Sequence, residues 1–188
     1  MIPPDVFRDQ PALHGTKVRL VPLDAESGEA LVGPLVDMDP EVRRLTGTHR
    51  HLTYAEAREW CATRAGRTDR LDLAIIAPKD GRYLGELSIY AVAAENESAG
   101  YRIALSAIEF TGQGLGREAT QLVLEYAFES IGLHRVWLYV YAFNMRAIAV
   151  YRSCGFAVEG RLRDSLLWEG RRHDALLMGV LRSGLRRT

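Results

Sequence analysis

The chain predicts an α+β fold of mixed α and β elements, a mostly antiparallel sheet of six to seven strands flanked by helices. Three observations carry that expectation. Leu71 to Ser106 is strand-textured and broken only by two turn signals. "TGQGLGREAT", Thr111 to Thr120, sets three glycines at alternate positions ahead of an amphipathic run. From His134 onward the pattern is strand, short helix, strand, strand, so helices and strands neither alternate strictly nor segregate.

"KVRLVPL", Lys17 to Leu23, alternates polar and apolar residues and closes at a proline, which suits an edge strand. Asp24 can cap a helix through Leu35 that carries Ala25, Ala30, Leu31 and Leu35. "DPEVRRLTGTHRH" reads as a short helix and a loop, and Thr53 with Glu56 has the spacing of a capping box opening the next helix. After Gly66 come Leu71 to Ala77, a turn at Lys79-Asp80-Gly81, Tyr83 to Ala93, a turn near Glu95-Asn96-Glu97, and Ala99 to Ser106, an antiparallel meander. The helix behind the glycines places Leu115, Ala119, Leu122, Val123, Tyr126 and Ala127 on one face. "HRVWLYVYAF" is apolar on both faces, which predicts a central strand covered on both sides. A helix from Asn144 to Ser153 is stopped by Gly155, and Phe156 to Leu162 and Asp174 to Leu181 supply closing strands. An exposed edge at the last strand would allow subunits to pair, so monomer and homodimer both stand open.

At 188 residues one domain is expected, 1–188, with loose ends at about 1–11 and 183–188. The 24 acidic residues balance 24 basic ones, leaving no net field to recruit nucleic acid or an anionic membrane. The longest apolar run, Leu133 to Val140, is interrupted by His134 and Arg135 and falls short of the ~20 residues of a membrane span. The amino terminus lacks the basic-then-apolar form of a secretory signal, so a cytoplasmic protein is expected. Cys61 and Cys154 stand far apart and the histidines are scattered without ligand spacing, so no metal is expected.

A strand that ends in glycines and runs into a helix points free N–H groups and the positive end of the helix dipole at one spot, which suits a phosphate. Gly112, Gly114 and Gly116 permit positive φ and close approach, and Arg117 could add a charge-assisted contact where a cation otherwise opposes the dipole. A tight connection with no ligand is the competing reading. A P-loop needs Gly-Lys-Ser/Thr after its glycines, and none occurs. A dinucleotide site wants GxGxxG and a later ribose-binding carboxylate; Arg117 stands at the third glycine, and the next strand ends in Ala142-Phe143-Asn144.

"GQGLGREA" together with "NMRAIAVYRSCGF" resembles the GNAT superfamily of acyl-CoA-dependent N-acyltransferases, and "GELSIY", "EGRLRD" and "HDALLMGVL" look like its RimJ/RimL-type branch. The resemblance spans roughly Leu13 to Arg182 and departs at Thr111, where the pattern usually has Gln or Arg. It implies a sheet splayed between the strands before and after the loop. It further implies that the N–H groups of Gln113, Gly114, Leu115, Gly116, Arg117 and Glu118 hold the pyrophosphate of acetyl-CoA. Leu105 and Ser106 would pair with the pantetheine amides as a peptide adds to a sheet edge. Asn144 would meet the pantetheine arm, and Tyr151, two helical turns or about 10 Å further on, would protonate the departing thiolate. The ordinary alternatives are a helix cap for Asn144 and a core ring for Tyr151.

The implied reaction is direct attack of an uncharged amine on the thioester, with a backbone N–H steadying the oxyanion. Cys154, beside Gly155 and without a histidine motif, reads as a buried structural thiol rather than a nucleophile. Glu86, between the apolar neighbours of a strand, is the leading base, ahead of Glu109, Asp164 and the pair His173-Asp174; a solvated face is the alternative. The acceptor is a peptide N-terminus or a small-molecule amine, for which His49, Arg50, His51 and Tyr54 could line a cleft. Asp37, Asp39 and Glu41 would suit a polycation, or simply start a helix. A module that binds acyl-CoA without catalysis is the alternative class.

Overall fold

A computed structural model of the chain describes residues 2–3, 5–23, 25–64 and 66–186, the side chains of 25–28 excepted. The strands are β1 (Leu13–His14), β2 (Arg19–Pro22), β3 (Leu71–Ile76), β4 (Tyr83–Ala93), β5 (Ser98–Leu105), β6 (Arg135–Tyr141), β7 (Ala157–Trp168) and β8 (Arg171–Leu181). The helices are α1 (Ala25–Val36), α2 (Pro40–Thr46), α3 (Tyr54–Ala62), α4 (Leu115–Tyr126) and α5 (Met145–Ser153). The capping box forms as spaced, with Thr53 and Glu56 each bonding the other's backbone N–H. Asp24 lies outside the described residues.

One eight-stranded sheet runs β1-β2-β3-β4-β5-β6-β8-β7, antiparallel everywhere except between β5 and β6. The exception has a simple cause: α4 intervenes as a crossover, and a crossover returns the chain parallel. That parallel ladder is also the shortest in the centre of the sheet, matching only Ser98–Gly100 with Arg135–Trp137. Beyond it β5 stays with β4 and β6 with β8, so the two strands diverge into a V. A bulge in β4, marked by Ala91 at φ 50° and a register shift between Tyr90 and Ala93, adds local twist at the closed end of the V. There a Cβ on Gly100 would lie 2.8 Å from the Tyr90 ring, so any larger residue would have to push the Tyr90 and Trp137 rings aside.

Two apolar layers cover the sheet. The larger core joins α4 and α5 to Leu20, Leu73, Leu87, Ile89, Tyr101, Leu138 and Met178. On the opposite face α1 and α3 close a smaller cluster around Leu23, Leu31, Ala57 and Ala74. Farther across that face α2 and the Gly47 that ends it reach β6 at Tyr141, while Tyr139 stays exposed.

Several expectations are corrected. The sheet has eight strands rather than six or seven, because two-residue β1 adds to β2, which is thus not the edge. The far edge is β7 and not the last strand, since β8 sits between β6 and β7. Strand β6 is buried on one face only: Val136, Leu138 and Val140 point to the core while Tyr139 is 52% exposed. Apolar composition misled because three of those letters are aromatic and can face water at the ring edge. The first residues are not loose either, for Ile2 and Phe7 are 5% and 1% exposed in the main core, and burying such side chains contributes ~1.5–3 kcal/mol each. Strands β7 and β8 are longer than the pattern indicated and meet at Glu169-Gly170, both at positive φ as a two-residue hairpin turn requires.

Candidate functional site

The glycine segment fills the connection between β5 and α4. Gly112 and Gly114 adopt φ 76° and 83°, and Gly114 caps α4 without a side-chain bond. Among the described residues no acceptor meets the backbone N–H groups of 112–117, whereas the Thr111 N–H bonds Ile108 and the Glu118 N–H bonds the Gly114 carbonyl. The Glu118 N–H is therefore taken by the helix itself, a correction to the expected set. Its carboxylate reaches away from the loop and accepts from the Thr16, Lys17 and Val18 N–H groups and the Thr16 hydroxyl. Burial opposes that charge, but the hydrogen bonds outweigh it and hold the carboxyl below its usual range.

Thr111 finds its explanation here. Its hydroxyl donates to the Ile108 carbonyl at 2.7 Å and accepts from Arg146 at 3.3 Å, so a short side chain closes the turn and steers a guanidinium to the loop. With exposed Arg117 and Lys17, three cations gather at a helix start whose dipole alone would repel them. Lys17 and Arg146 escaped the sequence reading. Arg146 had a signal, being in the first turn of the helix capped by Asn144; Lys17 had none, lying almost a hundred residues upstream.

On the open side of the V, the strand edge alternates. The Ser106 N–H donates to Leu84 on β4, so by the two-residue period Leu105 and Ile103 turn their N–H and carbonyl groups toward the gap. Ser106 thus faces β4 rather than the gap where edge pairing was expected of it, whereas Ile103 faces the gap. Across the gap Asn144 caps α5, its Oδ1 accepting from Ala147 at 3.1 Å. A cleft of about 440 Å³ between α2 and the start of α5 is lined by Glu41, Leu45, Ile108, Asn144, Met145 and Arg146. Tyr151, two turns along, is 7% exposed, its ring edge-on to Tyr101 and Phe156 at 6.4 and 5.7 Å. Its hydroxyl has no partner among the described residues, and burial, with the Cys154 thiol nearby, pushes its pKa up, so it stays protonated. Cys154 is fully buried and its thiol contacts the Arg117 carbonyl at 3.8 Å, tying α5 to α4.

Glu86 lies on the opposite face of β4, 9% exposed. Arg102 approaches Oε1 at 3.4 Å, while Oε2 is buried with no hydrogen-bond partner. Burial pushes this carboxyl up against the pull of Arg102. Beside it Asp72, 3% exposed, gathers Arg70 and the Ser88 hydroxyl at 2.6 Å each. The weaker base candidates are otherwise employed or outside: Asp174 binds Arg161 and the Asp164 N–H, His173 packs on Phe143, and Glu109 is exposed. In the suggested acceptor loop His49 packs on Trp168 at 5.0 Å with the rings tilted by 32°, Arg50 pairs with Glu56 and the Tyr54 hydroxyl donates to Asp37. His51 is exposed. Asp39 caps α2 and Glu41 pairs with Arg44, so none of the three acidic groups is free to meet a polycation. Among the described residues no cluster could hold a metal and no helix is long and apolar enough to cross a membrane.

Residues 17–157 match the Acetyltransferase (GNAT) domain family. A spermidine N(1)-acetyltransferase of Escherichia coli K12 is 29% identical over 112 residues, 60% of each chain. The chain therefore aligns with about 60% of that relative's length. An FsC-acetyl coenzyme A-N(2)-transacetylase of Aspergillus fumigatus is 32% identical over 164 residues, covering 79% of this chain and 66% of that one. Among solved structures, the spermidine N-acetyltransferase of Vibrio cholerae in complex with CoA and spermine superposes with a TM-score of 0.79 over 90% of this chain and 98% of that one. At 21% identity this likeness speaks for the fold.

Proposed function

The chain belongs to the GNAT acetyltransferase family, and from that premise we propose that it is an N-acetyltransferase that moves an acetyl group from acetyl-CoA to a primary amine by direct attack. The observation that carries this reading is what gathers around the β5–β6 divergence: N–H groups at 112–117 without a protein partner, a β5 edge left unpaired beyond Gly100, and, on the helix that Asn144 caps, a Tyr151 hydroxyl without a protein partner. The first N–H groups of any helix lack intrahelical partners, and here the preceding loop residues, two of them left-handed glycines, add theirs, which together make a concave cluster of donors suited to an anion.

Acetyl-CoA supplies the thioester-activated acetyl group. The residues do the rest. The N–H groups of Gln113 to Arg117, with Arg117 and Arg146 beside them, bind pyrophosphate at the helix start. The edges of Ile103 and Leu105 and the side of Asn144 align the arm, and an N–H on that edge steadies the developing oxyanion. Tyr151 gives its proton to the leaving thiolate, and Glu86 takes one from the ammonium acceptor through water. The sequence motifs support a RimJ/RimL-like position within the family.

The acceptor is an amine of small size or a peptide N-terminus; spermidine is the acceptor named for the bacterial relatives. The engagement of Asp37, Asp39 and Glu41 argues against a polyamine held by that acidic run. A calorimetric titration with acetyl-CoA followed by a thiol-release panel of amines tests the proposal. Binding without thiol release on any amine would favour a non-catalytic acyl-CoA module, and no binding would sink both.

A further inference from the structure

We infer that Lys17 is a positioning residue for the loop that holds the pyrophosphate: it fixes the peptide between Gln113 and Gly114 so that the Gly114 N–H faces the ligand. The inference rests on the acyl-CoA reading of the groove and adds to it a residue from the opposite end of the domain. The Lys17 Nζ donates to the Gln113 carbonyl at 2.9 Å, and a Cβ on Gly114 would lie 2.9 Å from that nitrogen. A trans peptide is planar, with its C=O and N–H pointing in opposite directions. Capturing the carbonyl on the Lys17 side therefore turns the Gly114 N–H to the other side, toward the unpartnered N–H groups of its neighbours.

This peptide needs an anchor. Gly114, at φ 83°, has no side chain to resist rotation, and glycine reaches either sign of φ at similar energy. A flipped peptide would present a carbonyl oxygen to a phosphate in place of a donor. Lys17 can serve as the anchor because its own backbone is tethered. The Glu118 carboxylate, one turn into α4, accepts from the N–H groups of Thr16, Lys17 and Val18 at 3.1, 2.7 and 2.8 Å and from the Thr16 hydroxyl at 2.6 Å. The loop and the strap before β2 are thus cross-braced, Glu118 holding the strap and Lys17 holding the loop. Placement of the ammonium on the carbonyl side also separates this role from a direct ion pair with phosphate.

The test uses the full chain with Lys17→Met, an exposed position whose substitution leaves the core untouched. If the competent orientation falls to a minor fraction, apparent affinity falls by that fraction, so CoA titrated calorimetrically binds about tenfold more weakly. The KM for acetyl-CoA rises alike with kcat unchanged. Because Lys17 touches a carbonyl and not the phosphate, the dependence of log Kd on log salt keeps the wild-type slope, and 3′-dephospho-CoA suffers the same loss as CoA. Glu118→Ala weakens binding too, and adding Lys17→Met to it costs little more. Wild-type affinity in Lys17→Met overturns the inference, as does a flattened salt slope or a loss confined to CoA, either of which would make Lys17 a direct phosphate ligand. Additive losses in the double variant would break the link to Glu118. Failure of the wild-type protein to bind CoA would instead overturn the acyl-CoA reading and this inference with it.

Discussion

Replacing Tyr151 with Phe removes one oxygen from a position where the structure isolates its contribution. The hydroxyl has no protein partner among the described residues, so deletion breaks no internal hydrogen bond. The ring keeps its edge-on contacts with Tyr101 and Phe156. Stability should therefore move by less than about 1 kcal/mol, or roughly 2–4 °C in Tm for a chain of this size. Catalysis should move much more. A positioned acid contributes ~10²–10⁴-fold, equivalent to about 2.7–5.4 kcal/mol of barrier. Thiol release followed with a chromogenic disulfide should show kcat down by that factor while the calorimetric affinity for acetyl-CoA stays within about twofold. Burial pushes the Tyr151 pKa up, so the wild-type rate should show no loss from its ionisation near pH 10, the ordinary tyrosine value. A kcat for Tyr151→Phe within a factor of about three of wild type would refute the assignment, because it falls far short of the ~10²-fold that a positioned proton donor supplies at the least.

Further tests address the base, the loop and the buried charges. Burial raises the Glu86 pKa, so the protonated form is favoured in the folded chain; its stabilising effect is present below the unfolded carboxylate value of about 4.3 and lost as pH rises through the folded value. Glu86→Gln should accordingly gain stability over wild type as pH rises from 4 to 7, and should abolish the acidic limb of the kcat/KM profile; a limb that survives removes Glu86 as base. Gly114→Ala forces a Cβ into a left-handed conformation beside the Lys17 ammonium, at a cost of about 1–2 kcal/mol, and should weaken CoA binding; an unchanged urea midpoint would contradict the observed φ. Asp72→Ala leaves the partly buried guanidinium of Arg70 and the buried Ser88 hydroxyl without their acceptor, for a loss of about 2–4 kcal/mol measured by urea unfolding, and a loss under about 1 would mean that solvent replaces the carboxylate.

The sequence by itself determined the elements and much of the groove. Period-2 and period-3.6 patterns locate α4, α5, β3, β4 and β5 closely, because each element buries one face and its spacing records which. Of the three alternating glycines, Gly112 and Gly114 ahead of α4 announce an anion nest, since few other residues reach φ near +80° without strain, while Gly116 turns out to be helical. Distance along the chain hid the rest. Whether β6 would be covered on its second face depended on where the first three helices came to lie: α1 and α3 cover β2 to β4, and α2 reaches β6 only at Tyr141. Which backbone groups of β5 open into the V depended on the register with β4, and shifting a strand by one residue would have exchanged Leu105 for Ser106. Glu118 was legible as part of the loop's helix but its carboxylate was not, because its partners Thr16 to Val18 lie in the turn between β1 and β2, a hundred residues away. Local spacing encodes the faces of single elements; the meeting of elements a hundred residues apart is set by the sheet order, and only the tertiary structure supplies that.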